Sequence, residues 1–272
     1  MGWPVHHSRS PRLHGYWLDQ YGIDGAYVPL TVAPDRLEQA LRALPALGFK
    51  GTNLTIPHKE AALSIVDDVT ETAKRIGAVN TVVVGPDGRL SGDNTDGFGF
   101  MANLLADQRA WQPEAGSAVI LGAGGAARAV AVALIEAGVR QLRLLNRTEE
   151  RAERLATPLR SMTDGVEVQV LAWRDRHEAL RGANLLVNTT SLGMEGQPPL
   201  TLKLDALPTA TLVTDIVYAP LETELLASAR KRGNSIVDGL GMLLHQGRPG
   251  FHAWFGVEPM VTEELRRVVL QD

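Results

Sequence analysis

Lys59 and Asp96 are the residues of this sequence best suited to move a proton, a cation and a carboxylate each set in a run of short polar side chains. Lys59 closes Asn53-Leu54-Thr55-Ile56-Pro57-His58-Lys59, and Asp96 lies in Asn94-Thr95-Asp96-Gly97. Ser8-Arg9-Ser10-Pro11 and Asn80-Thr81 add two further clusters. Each has a plain structural reading: Ser-x-Ser-Pro as a turn or cap, Asn-Thr as polar pairs of a sheet, Lys59 as a surface lysine at a helix start, Asp96 as a helix cap. Together, ahead of a nucleotide-type loop, they read as a site for a small polyhydroxylated ligand, because neutral donors and acceptors suit hydroxyl groups. His6, His7 and His58 have no carboxylate or histidine at a metal-ligand spacing. In an extended chain His6 and His7 would point to opposite sides, so no metal is expected.

The second group of chemical residues is Gly122-Ala123-Gly124-Gly125-Ala126-Ala127, which follows the apolar run Val119–Leu121 and precedes an alanine-rich helical pattern. Glycine lets the backbone turn tightly and approach a pyrophosphate, and the helix N-terminus offers free N–H donors. The pattern is Gly-x-Gly-Gly-x-Ala, with Ala127 where the strict fingerprint has its third glycine. Asn146 lies 24 residues beyond Gly122, where a domain selective for NAD carries an acid for the ribose 2′-hydroxyl. Asn146-Arg147-Thr148 supplies no carboxylate. A guanidinium can pair with a 2′-phosphate, so the cofactor is read as NADP. Glu149 and Glu150 are local alternatives as partners of Arg147.

Short β-rich runs alternate with helical patterns along the chain, which predicts α/β architecture with parallel sheet. Strands are expected at 26–31, 51–56, 78–84, 89–91, 117–121, 141–146, 166–171, 184–188, 211–215 and 235–238. Leu37, Ala40, Leu41 and Leu44 have helical spacing, 59–66 reads as a helix, and so do 126–137, 148–156 and the last 30-odd residues, with a break near Gly256 and Pro259. The polar stretch 107–116 reads as a link.

With 272 residues, about two domains are expected. Cysteine is absent, which excludes disulfides, thiolate metal sites and a cysteine nucleophile. Net charge is −4 and no basic stripe stands out, so nucleic acid is not an expected partner. No apolar run approaches the ~20 residues of a membrane helix, and the first residues carry no secretory pattern, so a cytoplasmic protein without membrane attachment is expected.

The ordered set of motifs resembles the shikimate dehydrogenase family. It runs from Pro4–Pro11 through Gly51–Lys59, Gly77–Thr81, Gly92–Gly97, Gly122–Ala127, Asn146–Thr148, Asn188–Met194 and Asp215–Pro220 to Asp238–Gln246. The resemblance covers almost the whole chain. It implies NADPH-dependent, reversible reduction of 3-dehydroshikimate to shikimate, a step of aromatic amino acid (chorismate) biosynthesis. The implied fold has two domains: an open α/β substrate domain over 1–100, to which C-terminal helices 241–272 return, and a Rossmann-like NADP-binding domain over 101–240, with a cleft between them. By the same resemblance, Ser8, Ser10 and Tyr218 would meet the substrate carboxylate, and Thr55, Asn80, Asp96 and Gln246 the ring hydroxyls. Lys59, with Asp96, would handle the proton. Gly122, Ala123, Gly124, Gly125, Ala126, Asn146, Arg147, Thr148, Arg151, Ile216 and Gly239 would line the NADP, and Glu71 matches one more cofactor position. A monomer or homodimer is expected.

The sequence departs from the family at two places. Gly15 replaces the usual Asn after His14, and the chain begins at Met1-Gly2-Trp3 without the usual short apolar strand. A truncated or misassigned start, with a shortened strand in the substrate sheet, is the expectation. Two other functions stay open: a quinate/shikimate dehydrogenase with relaxed substrate and cofactor use, and a non-catalytic sensor of NADP and a shikimate-like ligand. Keeping both Lys59 and Asp96 argues against the sensor. Glutamyl-tRNA reductase, which shares Asn-Arg-Thr, is excluded by the absent cysteine.

Overall fold

The computed structural model describes residues 1–108, 111–162 and 165–271. Two compact units result, one of Met1–Gly99 with Leu243–Asp272, the other of Phe100–Met242.

In the first unit, α1 (Ser10–Gln20) grows out of the Ser-x-Ser-Pro run. Pro11 sits in its first turn, where a fixed φ and a missing N–H cost nothing. The helix buries Leu13, His14, Trp17 and Leu18. The predicted amphipathic helix is α2 (Leu37–Ala43), with Leu37 and Leu41 inward. Then come β1 (Gly51–Asn53), β2 (Asp68–Val69) and α3 (Glu71–Ile76). The Thr70 hydroxyl caps α3 by accepting from the Ala73 N–H, and Gly77 closes it at φ 71°, a left-handed conformation that suits glycine. β3 (Thr81–Val84) and β4 (Leu90–Asp93) complete a sheet of order β1-β3-β4-β2, antiparallel except for β2 beside β4. Its core holds Leu37, Leu41, Leu44, Val79, Val82 and Leu90.

Two expectations fail in this unit. Residues 26–31 are not a strand: Gly2 donates to Leu30 O at 3.2 Å and accepts from Val32 N at 3.1 Å, and Gly2 and Thr31 form an isolated bridge. Met1 O accepts from Thr55 N at 3.0 Å, so Met1-Gly2 is hydrogen-bonded on both sides. Residues 59–66 form no α-helix, only a 3-10 turn at Ala61–Ser64. The His6-His7 reading also changes. The segment turns, with Ser8 N donating to Val5 O at 3.0 Å, and the two rings meet edge to face 5.3 Å apart.

α4 (Asp96–Asp107) leads into the second unit, a run of strand–helix repeats. These are β5 (Ser117–Leu121), α5 (Gly125–Glu136), β6 (Gln141–Asn146), α6 (Glu149–Met162), β7 (Glu167–Ala172), β8 (Ala183–Asn188), β9 (Leu212–Asp215), α7 (Glu224–Lys231) and β10 (Ile236–Val237). The parallel sheet has the order β10-β9-β8-β5-β6-β7. All five residues of β5 are buried, as expected of a central parallel strand covered on both faces. The order reverses direction at β5 and β8, the doubly wound arrangement whose ligand crevice lies beyond the C-terminal strand ends at that switch. The chain closes with α8 (Leu240–Phe255) and α9 (Glu263–Leu270), separated by the expected break, where Gly256 has φ 72°. From Leu243 onward these residues pack in the first unit.

Candidate active site

In the first unit, Lys59 Nζ donates to Asp96 Oδ2 at 2.5 Å. The lysine side chain is 16 % exposed and the carboxylate 4 %, so the ion pair is largely withdrawn from water. Asp96 is the first residue of α4, but its carboxylate does not cap the helix: the Asn94 side chain accepts from Asp96 N at 3.1 Å instead. The other carboxylate oxygen, Oδ1, accepts from Asn80 Nδ2 at 2.8 Å. Both oxygens are therefore held.

Asn80 is 1 % exposed and saturated. Its amide also faces Thr95 Oγ1 at 3.2 Å and Gln246 Oε1 at 3.0 Å, and its Oδ1 accepts from Thr95 N at 2.9 Å and from the Thr81 hydroxyl at 2.9 Å. It serves here as a joint of the fold that orients Asp96 and Gln246. Thr95 Oγ1 donates to Gln246 O at 2.9 Å, a second tie to α8. Lys59 is fixed from its backbone, whose carbonyl accepts from Val79 N at 2.8 Å. The neighbouring His58 is 1 % exposed and its Nε2–H donates to Val32 O at 2.9 Å. Burial pushes that imidazole below its usual range, so it stays a neutral tether.

Thr55 is exposed, and Ser8, Ser10 and Gln246 are half-buried. Ser8 Oγ accepts from Ser10 N at 3.3 Å. Sequence reasoning missed the layer behind these residues. Tyr27 donates to Asn53 Oδ1 at 2.8 Å, and Asn53 Nδ2 donates to Thr81 Oγ1 at 3.0 Å and Asn80 O at 3.2 Å. Burial drives the Tyr27 phenol well above its usual range, against a hydrogen bond from Ser10. The His14 ring stacks on Tyr27 at 4.1 Å and 5°, and burial pushes it down to about 3. Only the Ser-x-Ser-Pro-x-x-His spacing hinted at His14, and nothing in 26–31 marked Tyr27.

In the second unit, Gly122 turns the chain at the end of β5 with φ 116°, and a Cβ there would lie 2.5 Å from Thr189 Oγ1 and 3.2 Å from the Thr189 backbone beyond β8. Gly124 is exposed, and a Cβ there would meet nothing within 4 Å. Ala123, Gly125 and Ala126 are half-buried, and Gly125 begins α5. The turn thus fills the strand side of the crevice and leaves the helix N-terminus open, which fits a bound pyrophosphate. Gly239 sits tight on the backbone of Ile216, where a Cβ would come within 2.4 Å. At the end of β6, Asn146 Nδ2 donates to Thr148 O at 2.8 Å, and Arg147, Thr148 and Arg151 are exposed. No carboxylate ends this strand, which fits a phosphorylated ribose.

Two assigned residues belong to the other unit from the residues grouped with them. Glu71 belongs to the first unit, in the first turn of α3, where it accepts from Lys74 at 2.7 Å. Tyr218 belongs to the second unit, half-buried just beyond Ile216.

A doubly wound sheet with a glycine turn at its switch point, in one chain with a carboxylate-held lysine on a second α/β unit, defines the class of two-unit α/β dehydrogenases. Residues 1–82 match the family described as "Shikimate dehydrogenase substrate binding domain", and residues 105–194 match "Shikimate / quinate 5-dehydrogenase". A shikimate dehydrogenase (NADP(+)) of Rhodospirillum rubrum is 62 % identical over 270 residues, covering 99 % of this chain and 95 % of its own. Among solved structures, shikimate 5-dehydrogenase from Thermus thermophilus in complex with NADP(H) and shikimate superposes with a TM-score of 0.86 at 38 % identity, covering 98 % of this chain and 96 % of its own. Quinate dehydrogenase from Corynebacterium glutamicum in complex with NAD gives 0.89 at 33 %, covering 98 % and 95 %. The chain belongs to the shikimate dehydrogenase family.

Proposed function

We propose that this chain reduces 3-dehydroshikimate to shikimate with NADPH, reversibly, on the way to chorismate and the aromatic amino acids in the cytoplasm. The observation that carries the reading is the Lys59–Asp96 pair, a cationic donor on a doubly held carboxylate. When bound, NADPH supplies the hydride to the ring ketone. Lys59 faces the oxygen that gains negative charge, stabilises it, and gives it a proton as the alcohol forms. In the oxidative direction its neutral amine takes the hydroxyl proton. Asp96 holds the ammonium in place, and Asn80 holds Asp96.

Residues 1–100 with 241–272 serve as the substrate domain and 101–240 as the NADP domain. Ser8, Ser10 and Tyr218 receive the carboxylate, and Thr55, Asn80, Asp96 and Gln246 the ring hydroxyls, with Asn80 also setting the last two. Gly122 through Ala126 cradle the pyrophosphate beside Ile216 and Gly239, and Asn146, Arg147, Thr148 and Arg151 take the adenosine phosphate end. The test is initial-rate oxidation of shikimate and quinate with NADP and NAD. A kcat/KM at least tenfold higher for shikimate with NADP is expected, about 1.4 kcal/mol of discrimination. Preference for quinate with NAD would transfer the assignment to the activity named for the Corynebacterium relative.

A further inference from the structure

We infer that Arg174, just past the end of β7, is a specificity residue that joins Arg147 in binding the 2′-phosphate of NADP. The inference deepens the NADP reading and rests on it. β6 and β7 pair in parallel without a slip from Gln141↔Glu167 to Asn146↔Ala172. Strands so paired lie about 4.8 Å apart. They end level, so Asn146-Arg147-Thr148 and Trp173-Arg174 leave the sheet side by side at the C-terminal edge. Counting from the glycines finds Arg147; only the register finds Arg174, which lies 52 residues beyond Gly122 in the sequence.

The two arginines after β7 differ in their commitments. Arg176 donates to Thr201 O at 3.0 Å and to Trp173 O at 3.1 Å, and its guanidinium lies 5.4 Å from the Trp173 ring centroid. It is built into the turn. Arg174, in the middle of the 3-10 turn Trp173–Asp175, is 86 % exposed and among the described residues reaches only Asp175, at 3.9 Å, beyond hydrogen-bond distance. Such an exposed pair holds the side chain weakly. A 2′-phosphate carries close to two negative charges and several acceptor oxygens, more than one guanidinium fork satisfies. Acidic neighbours at this edge, Glu149, Glu150 and Asp175, make a further cation beside Arg147 and Arg151 the more necessary.

The test is calorimetric titration of the full chain, wild type, Arg174→Ala and Arg174→Glu, with 2′,5′-ADP and with 5′-AMP. Expected is a loss of about tenfold in 2′,5′-ADP affinity for the alanine variant and a larger one for the glutamate variant, with 5′-AMP within twofold of wild type. Unchanged 2′,5′-ADP affinity in both variants overturns the inference while leaving the NADP reading standing. Equal losses for both nucleotides overturn it too, by making Arg174 a general support of the turn. Wild type binding 2′,5′-ADP no more tightly than 5′-AMP overturns the inference together with the NADP reading.

Discussion

Asn80 and Gln246, 166 residues apart in the chain, meet through a 3.0 Å hydrogen bond. The same Asn80 amide holds Asp96 at 2.8 Å. Helix α8 is therefore wired to the carboxylate that holds Lys59, and Gln246 is positioned by that network. Gln246→Ala is expected to raise the KM for shikimate about tenfold, the cost of one hydrogen bond to a polar ligand, with kcat changed much less. Steady-state kinetics at saturating NADP checks this. An unchanged KM would remove Gln246 from the binding set.

The glycine turn makes a steric prediction. Gly122→Ala places a Cβ 2.5 Å from Thr189 Oγ1 on a backbone with φ 116°, where side chains are rarely tolerated. Expected are a lowered Tm and at least a tenfold rise in the KM for NADPH. Gly124→Ala, with open space around its Cβ, keeps wild-type stability, so the pair separates strain from loss of the cradle. Equal Tm values for the two variants would contradict the close approach of this turn to Thr189.

His14 links pH to stability. Burial lowers its folded pKa to about 3, against an ordinary value near 6.5. Between those values the unfolded chain binds a proton that the folded chain refuses. The contribution is thus complete above pH 6.5 and drains as the pH falls, by up to about 1.4 kcal/mol per pH unit. Asp215, pushed up to about 6 by burial, has the opposite sign, since from about 3.8 to 6 the folded form holds the extra proton. His14→Phe keeps an aromatic ring against Tyr27 and removes the titration. From pH 7 to pH 5, wild type should lose about 2 kcal/mol more unfolding free energy than the variant. Urea titrations at the two pH values measure it, and equal losses would contradict a buried neutral His14.

The parts legible in the sequence are those whose partners are local or repetitive. β5, the glycine turn and α5 announce themselves because a buried strand, a tight turn and an apolar helix follow one another in 20 residues. The Ser-x-Ser-Pro run hid a helix start, since Pro11 reads equally as turn or first turn. Residues 26–31 look like a strand, yet among the described residues their pairing is the single bridge of Thr31 with Gly2. Residues 59–66 have helical composition, but the segment shortens to one 3-10 turn, and the Lys59 side chain reaches Asp96, 37 residues on. Tyr27 and Asn53 were invisible as a layer because their hydrogen bond joins two segments with no shared periodicity.

The central claim is that the Lys59 ammonium delivers the proton. Lys59→Ala, checked for fold by circular dichroism, should lose about 10²- to 10⁴-fold in kcat. Shikimate should still bind it with an affinity near that of wild type. A variant that turns over at the wild-type rate would show that the proton comes from elsewhere and end the account.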